Sequence, residues 1–307
     1  MTKSDENRLF YSLNDYLRDK YGCKVRKISV DAGFTCPNRD GMKGEGGCAY
    51  CNVDSFAIPS ENSITCQVTE RAEKLRAQGV NSFILYFQSY SNTYADMETI
   101  RRRMDLALVD KGIVSVYIGT RPDVIDTEKL QYYSKLNEKY EIMLEYGLQS
   151  ANDNTLRLIN RGHTAAEFAD AVRLTHEYGI KTCAHIIFGL PGDTREDMMR
   201  SVELCVELGM HSIKFHHLHV VKNTPLADWY YKGTVDLLTQ QEYIEILAEG
   251  IGRMKPDMVV ARLVGDAAGN TLIAPMWPQN KAEFTQELMK YMTENGIYQG
   301  CRLDHPL

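Results

Sequence analysis

Three cysteines stand at a spacing that suits metal chemistry. They lie in the run Asp31-Ala-Gly-Phe-Thr-Cys36-Pro-Asn-Arg-Asp-Gly-Met-Lys-Gly-Glu-Gly-Gly-Cys48-Ala-Tyr-Cys51-Asn, spaced C-x11-C-x2-C. Three thiolates can ligate three irons of a [4Fe–4S] cluster and leave the fourth iron open to a ligand that is not protein. The two-residue gap lets Cys48 and Cys51 reach neighbouring irons from one tight turn. The longer gap carries Gly41, Gly44, Gly46 and Gly47, which permit the backbone conformations that a loop wrapped round a cofactor needs. A structural zinc site is the rival, but zinc wants four ligands, usually as two close pairs. No second Cys-x-x-Cys is present, and His163 or Cys66 would have to complete the set. Chance clustering of buried thiols is the blander alternative. The other five of the eight cysteines (23, 66, 183, 205 and 301) read as small buried hydrophobes.

The elements that must position this loop follow from the apolar pattern. Short runs rich in Val, Ile, Tyr and Phe predict strands at Val25–Val30, Phe83–Gln88, Ile113–Gly119, Ile142–Gly147, Lys181–Phe188 and Ser212–His219, with a weaker seventh at Met258–Val264. Amphipathic periodicity predicts helices at Asp96–Val109, Thr127–Leu136, Ala165–Glu177, Arg195–Leu208, Gln240–Ile251 and Ala282–Asn295. Thr164 and Glu167 form a capping-box pair, and Gly179 sits where a left-handed stop belongs. Strand–helix alternation implies a parallel sheet with right-handed crossovers. The expected fold is α/β, a partial, incomplete TIM-type barrel of about six parallel βα units with a C-terminal extension. Residues 1–235 make the core, and 236–307 an extension packed on it. Functional residues then gather at the carboxyl ends of the strands, where the polar and Gly-rich segments indeed fall.

Composition bounds the rest. With 307 residues, 44% hydrophobic and 25% charged, the chain can bury a substantial core without disulfide staples. No apolar run approaches the length of a membrane span, and the first residues lack a secretory signal's apolar centre, so no membrane association and a cytoplasmic location are expected. The net charge of −6 argues against a protein coated in basic surface. Two local basic groups, Lys24, Arg26 and Lys27, and Arg101, Arg102 and Arg103, read as a solvated strand edge and a solvated helix face.

The stretch from Cys36 to Cys51 resembles the radical S-adenosylmethionine (SAM) proteins of the YhcC/YtqA type, which are similar in turn to the radical SAM domain of the Elongator catalytic subunit. The resemblance continues through Tyr86-Phe-Gln-Ser-Tyr-Ser-Asn-Thr-Tyr94, Gly119-Thr-Arg-Pro-Asp123, Glu145-Tyr-Gly-Leu-Gln-Ser150, Asn160-Arg-Gly-His163, His185-Ile-Ile-Phe-Gly-Leu-Pro-Gly-Asp193 and Lys214-Phe-His-His-Leu-His219. It covers roughly residues 5 to 280. The resemblance implies a [4Fe–4S] cluster on Cys36, Cys48 and Cys51 and SAM on the open iron. An electron then cleaves SAM to a 5′-deoxyadenosyl radical that takes hydrogen from the substrate.

Several further residues are expected to hold SAM. Gln88 and Ser89, at the end of the second strand, offer acceptors to its amino group. Glu145 and Gln149 end the fourth strand, where a carboxylate needs a partner; Arg161 is one choice, or Arg161 takes the SAM carboxylate. Ile187 and Gly189 are placed against the adenine. His217 and His219, on one strand face with His216 on the other, read as SAM or substrate contacts rather than metal ligands. Arg121 pairs with Asp123 or with an anion. Arg262, Asp266, Asn270, Trp277 and Lys281 form a stretch that could cover substrate.

The resemblance points to modification of the tRNA wobble uridine C5 side chain. Turnover of a small metabolite by the same radical chemistry is one alternative, and a non-catalytic, metal-stabilised binding module is another. A flavodoxin or ferredoxin-type electron donor is required by any radical scheme.

Overall fold

The β-branched runs become seven parallel strands: β1 (Val25–Val30), β2 (Ser82–Phe87), β3 (Ile113–Thr120), β4 (Glu141–Gln149), β5 (Lys181–Phe188), β6 (Ser212–His217) and, after a short β7 (Val220–Val221), β8 (Val259–Arg262). The structure is a computed structural model that describes residues 8–52, 55, 62–267, 269–277 and 280–303. The sheet order is β1-β2-β3-β4-β5-β6-β8, every pair parallel. Each strand lies beside its predecessor because a helical crossover returns the chain to the same end. The crossovers are α2 (Ile64–Arg76), α3 (Met97–Ala107), α4 (Thr127–Asn137), a short α5 (Asp153–Leu158) with α6 (Ala165–Glu177), α7 (Arg195–Glu207), and α8 (Pro225–Tyr231) with α9 (Gln240–Arg253). The edge strands β1 and β8 do not pair with each other, so the sheet is an incomplete barrel, as the alternation implied. The strand β8 comes from beyond residue 235. Among the described helices, none is long and apolar enough to cross a membrane.

Local signals set the helix ends. Capping boxes close at Thr164–Glu167, Thr194–Asp197 and Thr239–Glu242, each stabilising its helix by about 1 kcal/mol. Gly179, at φ +68, ends the α6 segment. Strands β2, β3 and β4 are buried along almost their whole length. Their outer face packs Phe83, Leu85, Phe87, Ile118 and Leu144 under the helices, with Phe188 of β5 in the same main core.

The inner face is different. Near the strand starts it holds Val25, Ile84, Met143 and Val259, and α1 (Leu13–Tyr21) inserts Tyr16 and Leu17 among them. The Tyr16 hydroxyl donates to Glu141 at 2.5 Å, and Lys181 reaches both, so the helix is pinned to the first residues of β4 and β5. The segment before α1 also runs beside β8, with Val260 N–H donating to Tyr11 C=O at 2.8 Å. This helix seals the lower end of the barrel.

Three expectations are corrected. The sixth strand stops at His217, where Leu218 N–H turns to Phe188 C=O, and Val220–Val221 instead pairs antiparallel with β9 (Leu272–Ala274). Lys27 does not join Lys24 and Arg26 in solvent: its ammonium lies 5.0 Å and 5.7 Å from the centres of the Tyr86 and Tyr117 rings, inside the barrel. Cys23 is exposed and Cys66 and Cys301 are half-buried, so only Cys183 and Cys205 behave as buried hydrophobes.

Candidate functional site

The cysteine loop leaves the carboxyl end of β1 and folds on itself through backbone bonds. Arg39 N–H donates to Cys36 C=O at 2.9 Å, Gly47 N–H to Asn38 C=O at 2.8 Å, and Cys51 N–H to Cys48 C=O at 2.9 Å. Asn38 is fully buried and ties the loop to the turn after α5 by donating to Asn160 C=O. Ala49 N–H donates to Ile159 C=O at 2.8 Å, and Asn160 returns a bond to Gly47 C=O at 2.9 Å. Two cations and an amide face the sulfurs. Arg161 and Asn38 each approach Cys48 Sγ at 3.6 Å, and Arg39 approaches Cys51 Sγ at 3.5 Å.

An ion-pair cluster braces the loop from the β3 side. Arg121 grips Asp123 through two nitrogens at 2.9 and 2.8 Å, and Lys43 of the loop adds a third contact at 2.6 Å. The remaining Arg121 nitrogen donates to Arg161 C=O at 2.8 Å. Arg121 therefore has the local partner in Asp123 that the sequence allowed.

The three cysteines open on a cavity of about 450 Å³ at the carboxyl ends of the strands. Its wall also holds Gln88, Glu145, Gln149, Arg161, Ile187, His217 and His219. Ser89 and Gly189 do not line it. Ser89 is buried, and Gly189, at φ +85, backs onto Leu238 at 3.1 Å from where a Cβ would stand. All three histidines of the sixth strand's end line the cavity: His216 shares the inward face of β6 with Lys214, and His217 and His219 reach the wall because the strand stops at His217. His217 stacks on Trp277 with ring centres 4.4 Å apart. Burial above all lowers His217 to about 2 and His219 to about 4, so both are neutral. His163 is buried away from the cavity wall, its Nε2 3.0 Å from Gly147 C=O.

Glu145 does not pair with Arg161. Its partners are Lys214, on the neighbouring inward position of β6, and His185 at 2.9 Å. Lys214 also donates to the Tyr86 hydroxyl at 3.0 Å. Burial would raise the Glu145 carboxyl, but Lys214 and then His185 override it and hold it well below the carboxylate range. His216 was set on the strand face opposite His217 and His219, and Lys214, His185 and Tyr86 were not singled out from sequence. They sit inside motifs that were, but which side chains meet depends on how the strands curve together.

Arg161 is aimed by Gly147. Its Nη2 donates to Gly147 C=O at 2.8 Å, and it and Gln149 Nε2 would each lie 2.4 Å from a Cβ on that glycine. Only a residue without a side chain lets both groups cross the end of β4 toward the cysteines.

The donor set fits an iron–sulfur cluster. Three sulfurs line one cavity, those of Cys48 and Cys51 have positive partners, and Arg161 keeps a buried Nε with no partner. The one group of His, Cys, Asp and Glu ligand atoms within 4.8 Å of each other, among the described residues, is Glu145, Cys183 and His185. The loop sulfurs are thus spaced more widely than a single tetrahedral ion requires.

Comparison with known proteins agrees with this geometry. A model of the radical SAM superfamily matches residues 36–205, and one of the radical SAM C-terminal domain matches 210–294. The YtqA protein of Bacillus subtilis is 34% identical over 97% of this chain and 94% of its own length. A tRNA uridine(34) acetyltransferase of Methanocaldococcus infernus is 24% identical over 61% of this chain and 35% of its own. Among solved structures, the archaeal Elp3 of Methanocaldococcus infernus superposes with a TM-score of 0.70 at 18% identity, covering 91% of this chain and 65% of that one, which shows a shared fold.

Proposed function

The chain belongs to the radical SAM superfamily of enzymes, and on that premise we propose that it binds a [4Fe–4S] cluster on Cys36, Cys48 and Cys51 and modifies the C5 side chain of the tRNA wobble uridine. The observation that carries the proposal is the convergence of these three thiols, with Arg39, Arg161 and Asn38 beside them, on one cavity at the carboxyl ends of the strands. When bound, the cluster and SAM supply reductive cleavage of the SAM C–S bond and hydrogen-atom abstraction from substrate.

The chain's own groups supply placement. Arg39 and Arg161 offset the charge of the thiolates. Gln88, Gln149 and Arg161, on the cavity wall, are the proposed partners of the SAM amino acid portion, with the unpaired Glu145 Oε1 as a further acceptor. Ile187 offers an apolar surface to the adenine, and His217 and His219, both neutral, face the cavity from the β6 side. Ser89 and Gly189 act from behind the wall. The sealed lower end helps to keep water out of the barrel. An electron donor of the flavodoxin or ferredoxin type completes the scheme.

The tRNA substrate is supported by the relative named as a tRNA uridine(34) acetyltransferase. Anaerobic reconstitution tests both parts. A brown protein with about four irons per chain that releases 5′-deoxyadenosine after reduction supports the radical reading. A colourless protein with one zinc sinks it. Identical modified nucleosides in tRNA from deletion and wild-type cells would remove tRNA as the substrate and leave the radical chemistry standing.

A further inference from the structure

Above the Glu141–Lys181 pair at its lower end, the inner face of the barrel carries more positive charge than the inward carboxylate there balances. Lys27, Lys214 and Arg262 enter from β1, β6 and β8, and Glu145 is the carboxylate among them. Glu145 and the Tyr86 hydroxyl satisfy Lys214. Lys27 rests over the Tyr86 and Tyr117 rings. Arg262 lines the cavity, yet no hydrogen bond or ion pair to its guanidinium is found among the described residues. Asp266, the other acid on that wall, is engaged by Lys281. Next to Arg262, His216 presents a buried Nε2 with no partner. Its ring stacks on His185 at 5.5 Å, and Nδ1 presses on Gly265, 3.1 Å from where a Cβ would stand. Burial above all, and the charges of Lys214 and Arg262, push Lys27 down to about 7, so the lumen already resists further positive charge. A guanidinium on the wall of a largely positive cavity is a ready partner for an oxyanion arriving with the substrate.

We propose that Arg262, with His216 beside it, forms a subsite for an oxyanion of the substrate, a carboxylate or a phosphate. This rests on the reading of the cavity as the substrate site. The subsite stands on the last strand of the sheet, whereas the cysteine loop follows the first, and both open on the same cavity. Arg161 and Gln149 already serve the cysteine side. The forked guanidinium matches two oxygens of one anion, which makes Arg262 a specificity-determining residue.

The test is saturation-transfer NMR on the full chain with reconstituted cluster, with and without SAM. The probes are N-acetylglycine for a carboxylate and methyl phosphate for a phosphate, with neutral N-acetylglycinamide as the control. The wild type binds one anion saturably and in preference to the control, and the stronger probe identifies the source. Arg262→Gln weakens that binding by about tenfold or more, the loss expected for a charge-assisted contact. Arg262→Lys retains part of it, and circular dichroism checks that both variants fold. Equal anion binding by wild type and Arg262→Gln overturns the proposal, as does a wild type that binds neither probe. A variant that keeps probe binding and loses SAM affinity also overturns it, assigning Arg262 to SAM. Probe binding needs no turnover. A chain that binds the anion but never cleaves SAM therefore refutes the functional proposal alone, and one that cleaves SAM but ignores the anion refutes only the subsite.

Discussion

Replacing Asp123 with asparagine removes the anion that ties the cysteine loop to the end of β3. Arg121 and Asp123 have side chains only 3% and 2% exposed, so the charge left behind on Arg121 cannot simply return to water. Burial alone would raise the Asp123 carboxyl, but Arg121 and then Lys43 override it and hold it at about 2 against an ordinary 3.8. That gap corresponds to about 2 kcal/mol of folded-state stabilisation. Loss of one partner from a buried pair costs about 3–5 kcal/mol in general, so about 2–4 kcal/mol is expected at neutral pH. The sign follows from the lowered folded-state value. The contribution is complete above the ordinary 3.8 and fades as pH falls through about 2, where the wild-type carboxyl is itself protonated. Urea denaturation of wild type and Asp123→Asn, at neutral pH and then in steps below pH 4, measures this directly. A variant within about 0.5 kcal/mol of wild type at neutral pH, the scatter of ordinary surface substitutions, refutes the reasoning. So does a difference that stays constant down to the acid limit.

Three other outcomes are expected. Serine at Cys36, Cys48 or Cys51 abolishes the visible iron–sulfur absorption after reconstitution, while serine at Cys66 preserves it; absorption spectra and iron assays decide. Gly147→Ala places a methyl 2.4 Å from Arg161 Nη2 and Gln149 Nε2, so it destabilises by about 1–3 kcal/mol and lowers retained iron, read from melting and metal analysis. Glu145→Gln leaves Lys214 buried without its anion and costs about 3–5 kcal/mol in chemical denaturation, and the further change Lys214→Met restores most of the loss.

The sheet was legible because its runs carry their own ends. Val25–Val30, Lys181–Phe188 and Ala165–Glu177 have the bounds that β-branched composition, a capping box and Gly179 imply. The cysteine loop was legible because its three cysteines are close in sequence. What escaped depends on curvature and tertiary pairing. Lys27 looked like part of a basic cluster, but strand alternation turns it inward while Arg26 stays exposed. Glu145 needed a cation, and the nearest in space is Lys214, sixty-nine residues on, rather than Arg161. The helix α1 buries only Tyr16 and Leu17, too weak a stripe to announce its place in the barrel.

That helix has a mechanical consequence. A sheet with two free margins can splay, and any splaying widens the chamber on which the three cysteines open. Here the seam is stitched at the opposite end: the Tyr11–Val260 bond holds one margin, and the contacts of α1 with β1 hold the other. Gln299 adds a clasp, accepting from Tyr11 N–H at 2.7 Å while donating to Met258 C=O at 2.7 Å. The bore of the chamber is thus set at the end opposite the three cysteines, by a latch joining residues near both ends of the described chain.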